Sequence, residues 1–155
     1  MKANQNAPAN ARSEIEIKAS PEVVWDVLTD FPNWPSWNHS VQSVKGGESV
    51  SKGTEFKWKT GGTTIRSTVQ EVERPTRIVW TGRLMSIKAV HAWHIVPQAG
   101  RTLVRTEESF EGAVARLFKK SLQRTLEESL SAGLKDLKAE AERRPVGKKL
   151  HRPNP

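Results

Sequence analysis

The sequence predicts an α+β fold in which a curved antiparallel sheet closes over one long C-terminal helix and leaves a cavity between them. From Gly112 to Arg143 apolar residues recur every three or four positions, which is the period of an amphipathic helix. Before that helix, polar and apolar residues mostly alternate, which is the period of half-buried strands. The apolar helical positions are Val114, Leu117, Phe118, Leu122, Leu126, Leu130, Leu134, Leu137 and Ala141.

The length of 155 residues suits one domain, which we expect over residues 13–143. Residues 1–12 are polar and rich in Ala, Asn and Pro, without the apolar core of a signal peptide. We therefore expect a disordered leader there and a cytoplasmic protein. The chain has no cysteine, which excludes disulfides, thiolate metal sites and a cysteine nucleophile. No apolar run approaches the roughly 18 residues of a membrane span.

The net charge of +8 is concentrated at the C-terminus. Without the five positive residues of the last stretch, the formal charge falls to +3, and no nucleic-acid-binding motif accompanies it. We predict that residues 144–155 form a basic disordered tail and that the protein has no specific nucleic-acid partner. The five residues are Arg143, Arg144, Lys148, Lys149 and Arg152.

The first elements are a strand, a short helix and a stiff connection. Glu14–Lys18 alternates as a half-buried strand does. Ser20 and Pro21 then mark a helix start, as N-cap and first helical residue. The helix should end near Asp30, because a proline follows two residues later. With two prolines and three aromatic residues, Phe31–Asn38 is either a stiff connection or a short, broken helix.

Several antiparallel strands follow, separated by glycine turns. Phe56 and Trp58 share the inward face of the first of them. The alternation breaks before Val72, which predicts a β-bulge. The inward positions of the next two strands are Ile65, Ser67, Val69, Ile78, Trp80 and Gly82.

The last hairpin has a predictable register. Matching inward residues with inward residues pairs positions whose numbers sum to 199. His91 then lies opposite Glu108, and Trp93 lies opposite Thr106. The same register pairs Ala89 with Phe110 and Ile95 with Val104.

Several short motifs, in this order and spacing, resemble the SRPBCC superfamily, also called START-like or birch-pollen-allergen-like. Within it the chain is similar to the polyketide cyclase/dehydrase and lipid-transport group. One departure is His39, where relatives often have proline, which bears on the local loop and not on the fold. The motifs are Ile15–Trp25, Leu28–Phe31, Trp34–Asn38, Pro75 with Ile78–Trp80 and Gly82, His91–Trp93 and Glu108–Gly112.

This resemblance implies a helix-grip fold, with about seven antiparallel strands around a C-terminal helix and two short helices after the first strand. It also implies an internal cavity for a small hydrophobic molecule. Members of the superfamily range from carriers to catalysts, so the fold alone fixes no reaction.

His91 and Glu108 form the sharpest candidate pair, because both face the interior. A buried carboxylate needs a partner, and a cross-strand imidazole supplies one. The pair is therefore a structural clamp on the hairpin register, a polar anchor for a ligand, or an acid/base dyad.

Aromatic residues are the candidates for the cavity wall, with plain core packing as the alternative. Ser67 and Thr106 join His91 and Glu108 as polar groups that could orient a ligand. Trp34 and Trp37 could act as a lid or cap the core. The predicted wall residues are Trp58, Trp80, Trp93, Phe56, Phe110 and Phe118.

The four histidines show no metal-like spacing, and the chain has no dinucleotide or phosphate-binding fingerprint, so we predict neither a metal nor a cofactor. Three function classes stay open. The first is a carrier or binding protein for a small hydrophobic ligand, a lipid or an aromatic or polyketide-like metabolite. The second is a cyclase, aromatase or dehydratase that uses His91 and Glu108. The third is a protein-interaction or stress-related module. We expect a monomer or a weak dimer.

Overall fold

A computed structural model describes residues 1–144. It contains one antiparallel sheet with the strand order β1-β7-β6-β5-β4-β3-β2, covered by helices on its inner face. This is the predicted α+β helix-grip fold. The strands are β1 (Ala9–Ile17), β2 (Ser43–Gly46), β3 (Glu55–Thr60), β4 (Thr63–Glu73), β5 (Arg77–Leu84), β6 (Ile87–Gln98) and β7 (Arg101–Glu111), and the α-helices are α1 (Pro21–Thr29), α2 (Ala113–Leu117) and α3 (Lys119–Arg143).

Two short helices lie between β1 and β2, as the family resemblance implies. In α1 the Ser20 hydroxyl accepts a hydrogen bond from the Val23 amide at 3.3 Å, and Pro21 is the first helical residue. A 3₁₀ helix, Phe31–Ser36, follows directly. The Trp34 indole N–H donates to the Leu28 carbonyl at 2.9 Å and so ties the two helices together. The proline-rich connection is therefore the short helix that was one of its two predicted forms.

The long helix α3 lies over one edge of the sheet and not over its middle. It packs mainly against β1, with further contacts to β7 and α1. Leu126 and Leu130 of α3 contact the small residues Ala9 and Ala11 of β1, which let the helix approach closely. α3 therefore leaves a space over strands β3–β6 that it does not fill.

The strand registers follow the predicted parity. β6 and β7 pair as expected, with His91 opposite Glu108 and Trp93 opposite Thr106. The register between β4 and β5 shifts between Val69 and Glu71, which confirms the predicted bulge. Inward and outward positions are thus correctly assigned along these strands.

The prediction of a disordered leader at residues 1–12 is wrong for its last four residues, which belong to a strand. β1 begins at Ala9, four residues before the expected domain boundary. The earlier residues also contact the sheet, since the Asn4 amide donates to the Ser109 hydroxyl at 3.0 Å and Ala3 is buried. The alternation was missed because alanine is small enough to be buried in a segment that otherwise looks polar. Except for Arg144, the predicted tail lies outside the described residues.

The prediction of one continuous helix from Gly112 to Arg143 is also wrong. Phe118 leaves helical geometry, with φ −110° and ψ 31°, and separates α2 from α3. Leu117 and Phe118, expected to face the core, are 75% and 54% exposed. The break ends the buried stripe of α3 before it reaches them. Within residues 1–144, no helix is long and apolar enough to cross a membrane.

Candidate functional site

A cavity of about 360 Å³ lies between the sheet and α3. Trp58, Trp80 and Trp93, from three different strands, form part of its wall. Trp80 and Trp93 also belong to the buried core cluster that includes Leu134 and Leu137 of α3, whereas the cavity lies beside residues 122–133 of that helix. α3 therefore contacts the sheet without filling the space over it.

Most of the predicted site residues meet at this cavity. They come from the 3₁₀ helix, the residue after it and strands β3–β7, and the bulk of their surface is aromatic. Those that line the cavity are Trp34, Trp37, Trp58, Ser67, Trp80, His91, Trp93, Glu108 and Phe110.

Three predicted site residues lie elsewhere. Phe56 is buried behind the wall, where its ring stacks on Phe31 at a centroid distance of 4.2 Å. Thr106 is buried behind His91 and reaches the cavity only through it. Phe118 points outward at the break between α2 and α3. Parity assigns a strand residue to a face, but it does not say how deep the residue lies.

The helical side of the cavity was not predicted from the sequence. Thr125, Ser129 and Gly133 of α3 line it at four-residue intervals, beside the buried leucines. These small residues make that face of the helix shallow and leave room for the cavity. Their regular spacing was the signal that could have revealed them.

The cavity has two ends that differ in character. At the aromatic end, which we define by Phe31, Trp34, Phe56 and Trp80, the two tryptophans line the cavity and the two phenylalanines lie behind them. The four rings contact one another directly. At the hairpin end, the cavity reaches the β3–β4 turn, the β5–β6 turn and the start of α3. Its lining there includes Gly61, Leu84, Ile87 and Leu122.

The loop after the 3₁₀ helix is fastened to α3. The His39 amide donates to Asp136 Oδ2 at 3.0 Å, and His39 Nδ1 lies 3.0 Å from Asp136 Oδ1. Asn38 and Ser40, on either side of His39, line the cavity. The residue that departs from the family pattern therefore holds one wall segment against the helix.

His91 belongs to a short polar chain on the wall. Glu108 Oε2 lies 3.3 Å from His91 Nδ1, and His91 Nε2 lies 2.8 Å from the Thr106 hydroxyl. That hydroxyl donates its proton to the Ala92 carbonyl at 3.2 Å, so it accepts one from His91 Nε2. Nδ1 of the neutral ring is then the free acceptor that faces Glu108.

Burial keeps both members of the pair uncharged near neutral pH. It lowers the pKa of His91 to about 3 and raises the pKa of Glu108 to about 8. The His91 ring also stacks on Trp93, at a centroid distance of 5.0 Å. The site can therefore present a protonated carboxyl and a neutral imidazole from an aromatic wall.

No metal centre is formed by the part of the chain that the structure describes. Across residues 1–144, no three His, Asp or Glu side chains converge as metal ligands would. The cavity itself offers only His91 and Glu108 as ionisable groups. The arrangement is suited to binding an uncharged molecule or to moving a proton.

Solved structures share this fold at low sequence identity. A hypothetical protein from Helicobacter pylori superposes with a TM-score of 0.79 at 20% identity, covering 88% of this chain and 90% of its own. The Zhui aromatase/cyclase from Streptomyces sp. R1128 has a TM-score of 0.75 at 16% identity, with 87% and 94% covered. A START superfamily protein from Mycobacterium smegmatis has a TM-score of 0.68 at 19% identity, covering 86% of this chain and 97% of its own.

The sequence itself matches a family along most of its length. No curated protein sequence matches the chain significantly. The family described as polyketide cyclase / dehydrase and lipid transport, however, matches residues 8–142. This span includes all seven strands, the two short helices after β1, α2, and all of α3 except Arg143. The chain therefore belongs to the polyketide cyclase / dehydrase and lipid transport family, within the SRPBCC superfamily.

Proposed function

We propose that this protein binds a small hydrophobic molecule in the cavity between the sheet and α3, as a carrier or binding protein. The observation that carries the proposal is the unfilled cavity itself, with Trp58, Trp80 and Trp93 on its wall. Its size falls within the range of about 300–1,000 Å³ that is typical of small-molecule sites. A ligand would be stabilised by about 25 cal/mol for each Å² of apolar surface that it buries there.

The chemistry of the wall favours an uncharged ligand with a flat apolar body. Indole rings bind flat and aromatic surfaces well. The pair of Glu108 and His91, neutral near pH 7, suits a carbonyl or hydroxyl group better than an ion. Lipids, aromatic metabolites and polyketide-like molecules meet these requirements, in keeping with the family and with the aromatase/cyclase among the fold relatives.

A second candidate function is acid/base catalysis on such a ligand. Glu108 holds a proton near neutral pH and faces an imidazole that can accept one. A group whose pKa lies near the working pH is an effective proton donor. In this alternative Glu108 donates a proton to the bound molecule and His91 orients the carboxyl group.

Native mass spectrometry of the protein purified from its own host tests the proposal. We expect a co-purified hydrophobic molecule in the wild type. Gly133 allows a direct control, because a side chain added there meets nothing within 4 Å and would enter the cavity. Gly133→Phe should lose the molecule, whereas Ala132→Phe on the exposed side of α3 should retain it. An equal load in both variants would refute the cavity as the site.

The same molecule distinguishes the two candidates. A carrier should release it unchanged after incubation. An enzyme should convert it to a product with a different mass or chromatographic retention time. Glu108→Gln removes the acidic proton and keeps the size and hydrogen-bonding capacity of the side chain, so it should abolish the conversion while the molecule still binds.

A further inference from the structure

The hairpin end carries three large apolar side chains that the fold does not bury. Met85 at the β5–β6 turn is 86% exposed, and Leu117 and Phe118 lie at the break between α2 and α3. Among the described residues, Met1 is the one other large apolar side chain that is exposed. The two sites are neighbours, because the backbone of Ser86 contacts Gly112 at the start of α2.

The backbone at Met85 is unfavourable for the residue that occupies it. Its φ angle is +54°, in the left-handed region where glycine or asparagine is usual. Met85 is the one non-glycine residue with positive φ in the described chain. A large apolar side chain is thus held in water by a strained turn, which folding alone does not explain.

A row of cations leads across the sheet to this turn. On the outer face, directly paired positions on five neighbouring strands are all positively charged and exposed. Neighbouring strands lie about 4.8 Å apart, so like charges in such a row repel one another. We call it the cation row; its residues are Lys45, Lys57, Arg66, Arg83 and Lys88.

The cation row has little compensation in the described part of the chain. None of its residues has an ion-pair partner within 4.0 Å there, and Glu111, opposite Lys88, is the one acid at its end. Arg83 and Lys88 flank the Met85 turn. Lys119 and Lys120 follow Phe118 directly. The exposed apolar residues are therefore surrounded by positive charge.

We propose that the hairpin end docks on an anionic membrane surface. Met85, Leu117 and Phe118 would enter the boundary between headgroups and acyl chains, and the flanking cations would contact the lipid phosphates. Three separate protrusions suit a fluid bilayer better than a folded protein partner, which would need a matching groove for each. The same end of the cavity is lined by Leu84, Ile87 and Leu122, so a docked molecule presents its cavity to the lipid.

Vesicle co-sedimentation of the full chain tests this proposal. We expect binding to vesicles of phosphatidylcholine and phosphatidylglycerol in equal amounts, and little binding to phosphatidylcholine alone. Each cation near a charged surface contributes a factor of about 5 to the affinity. Arg83→Ser with Lys88→Ser should therefore weaken binding about 30-fold. The control pair Lys52→Ser with Lys135→Ser removes the same charge from exposed sites elsewhere and should change binding much less.

A second variant set tests insertion. Met85→Asn with Leu117→Ser and Phe118→Ser should lose binding about tenfold or more, with unchanged circular dichroism. Equal effects of the two cation pairs, or full binding by the triple variant, would overturn the proposal in favour of non-specific charge. A wild-type dimer that the triple variant disperses would instead assign this end to a second copy. Native mass spectrometry of the same variants shows whether they still retain the co-purified ligand. Failure of the membrane proposal can therefore be told apart from failure of the cavity proposal.

Discussion

The two ends of the cavity use similar side chains in opposite ways. At the aromatic end, Phe31 is fully buried and its ring lies 4.2 Å from that of Phe56 and 5.6 Å from that of Trp80. At the hairpin end, Phe118 and Met85 have no such neighbours and face the solvent. The difference teaches that the aromatic end contributes to the core, while the hairpin end leaves large apolar side chains exposed, which we propose enter a membrane surface.

The polar pair lies between these ends, on strands β6 and β7. His91 is tied to the aromatic wall through Trp93 and to the sheet through the Thr106 hydroxyl. Glu108 lines the cavity, and burial keeps its carboxyl protonated near neutral pH by raising its pKa to about 8. The pair is thus fixed to the sheet on one side and borders the cavity on the other, which is what the proposed ligand contact requires.

Truncation of one phenylalanine at each end should give the largest contrast. Phe31→Ala removes a ring from a fully packed cluster, and we expect it to lower the free energy of unfolding by about 3–5 kcal/mol. Phe118→Ala removes an exposed ring, and we expect a change within about 0.5 kcal/mol. Urea denaturation followed by tryptophan fluorescence measures both. Similar losses in the two variants would contradict the assignment of stability to the aromatic end.

Replacement of Glu108 should change how stability depends on pH. The folded pKa of about 8 exceeds the ordinary value of 4.5, so the folded state binds a proton that the unfolded state lacks. The contribution of this bound proton to the free energy of unfolding is fully present below pH 4.5 and is lost as the pH rises to about 8. For His91 the folded pKa of about 3 lies below 6.5, so its contribution is complete above pH 6.5 and is lost as the pH falls.

These two effects oppose each other between pH 4.5 and 6.5, and Glu108 alone acts above that window. We expect the wild type to lose about 1.5 kcal/mol of unfolding free energy from pH 6.5 to 8. Glu108→Gln, which imitates the protonated side chain, should lose far less. Denaturation curves at both values provide the test. Parallel losses in wild type and variant would show that Glu108 is ionised in the folded protein.

The sequence was most informative where inward and outward residues alternate regularly along a strand. The register of β6 and β7 followed from parity, because a slip by one residue would turn Trp93 and Ile95 outward. The bulge near Val72 followed from the same rule. The inward direction of Trp58 and Trp80 was therefore predictable, and so was the cross-strand pairing of His91 with Glu108.

The sequence was least informative about how deeply a side chain is buried and about where a helix is interrupted. Phe56 and Trp58 share a strand face, yet Phe56 lies in the core and Trp58 lines the cavity. Phe118 continues the helical period by spacing, yet the helix breaks there. Both depend on how far α3 stands from each strand, which is a property of the assembled fold. Small residues such as Ser129 and Gly133 gave the one local sign of that distance.

The smallest effect we expect is at the strained turn of the hairpin end. Asparagine tolerates the left-handed backbone that Met85 adopts, so Met85→Asn should raise the free energy of unfolding by about 1 kcal/mol. Met85→Val is the matched control, because a β-branched residue at φ +54° should be less stable than the wild type. The melting temperatures of the wild type and the two variants provide the comparison. A gain in stability for asparagine would mean that methionine at this turn carries a cost to folding, as expected of a residue that serves a partner and not the core. An asparagine variant no more stable than the wild type would remove the strain argument and leave exposure alone to mark the hairpin end.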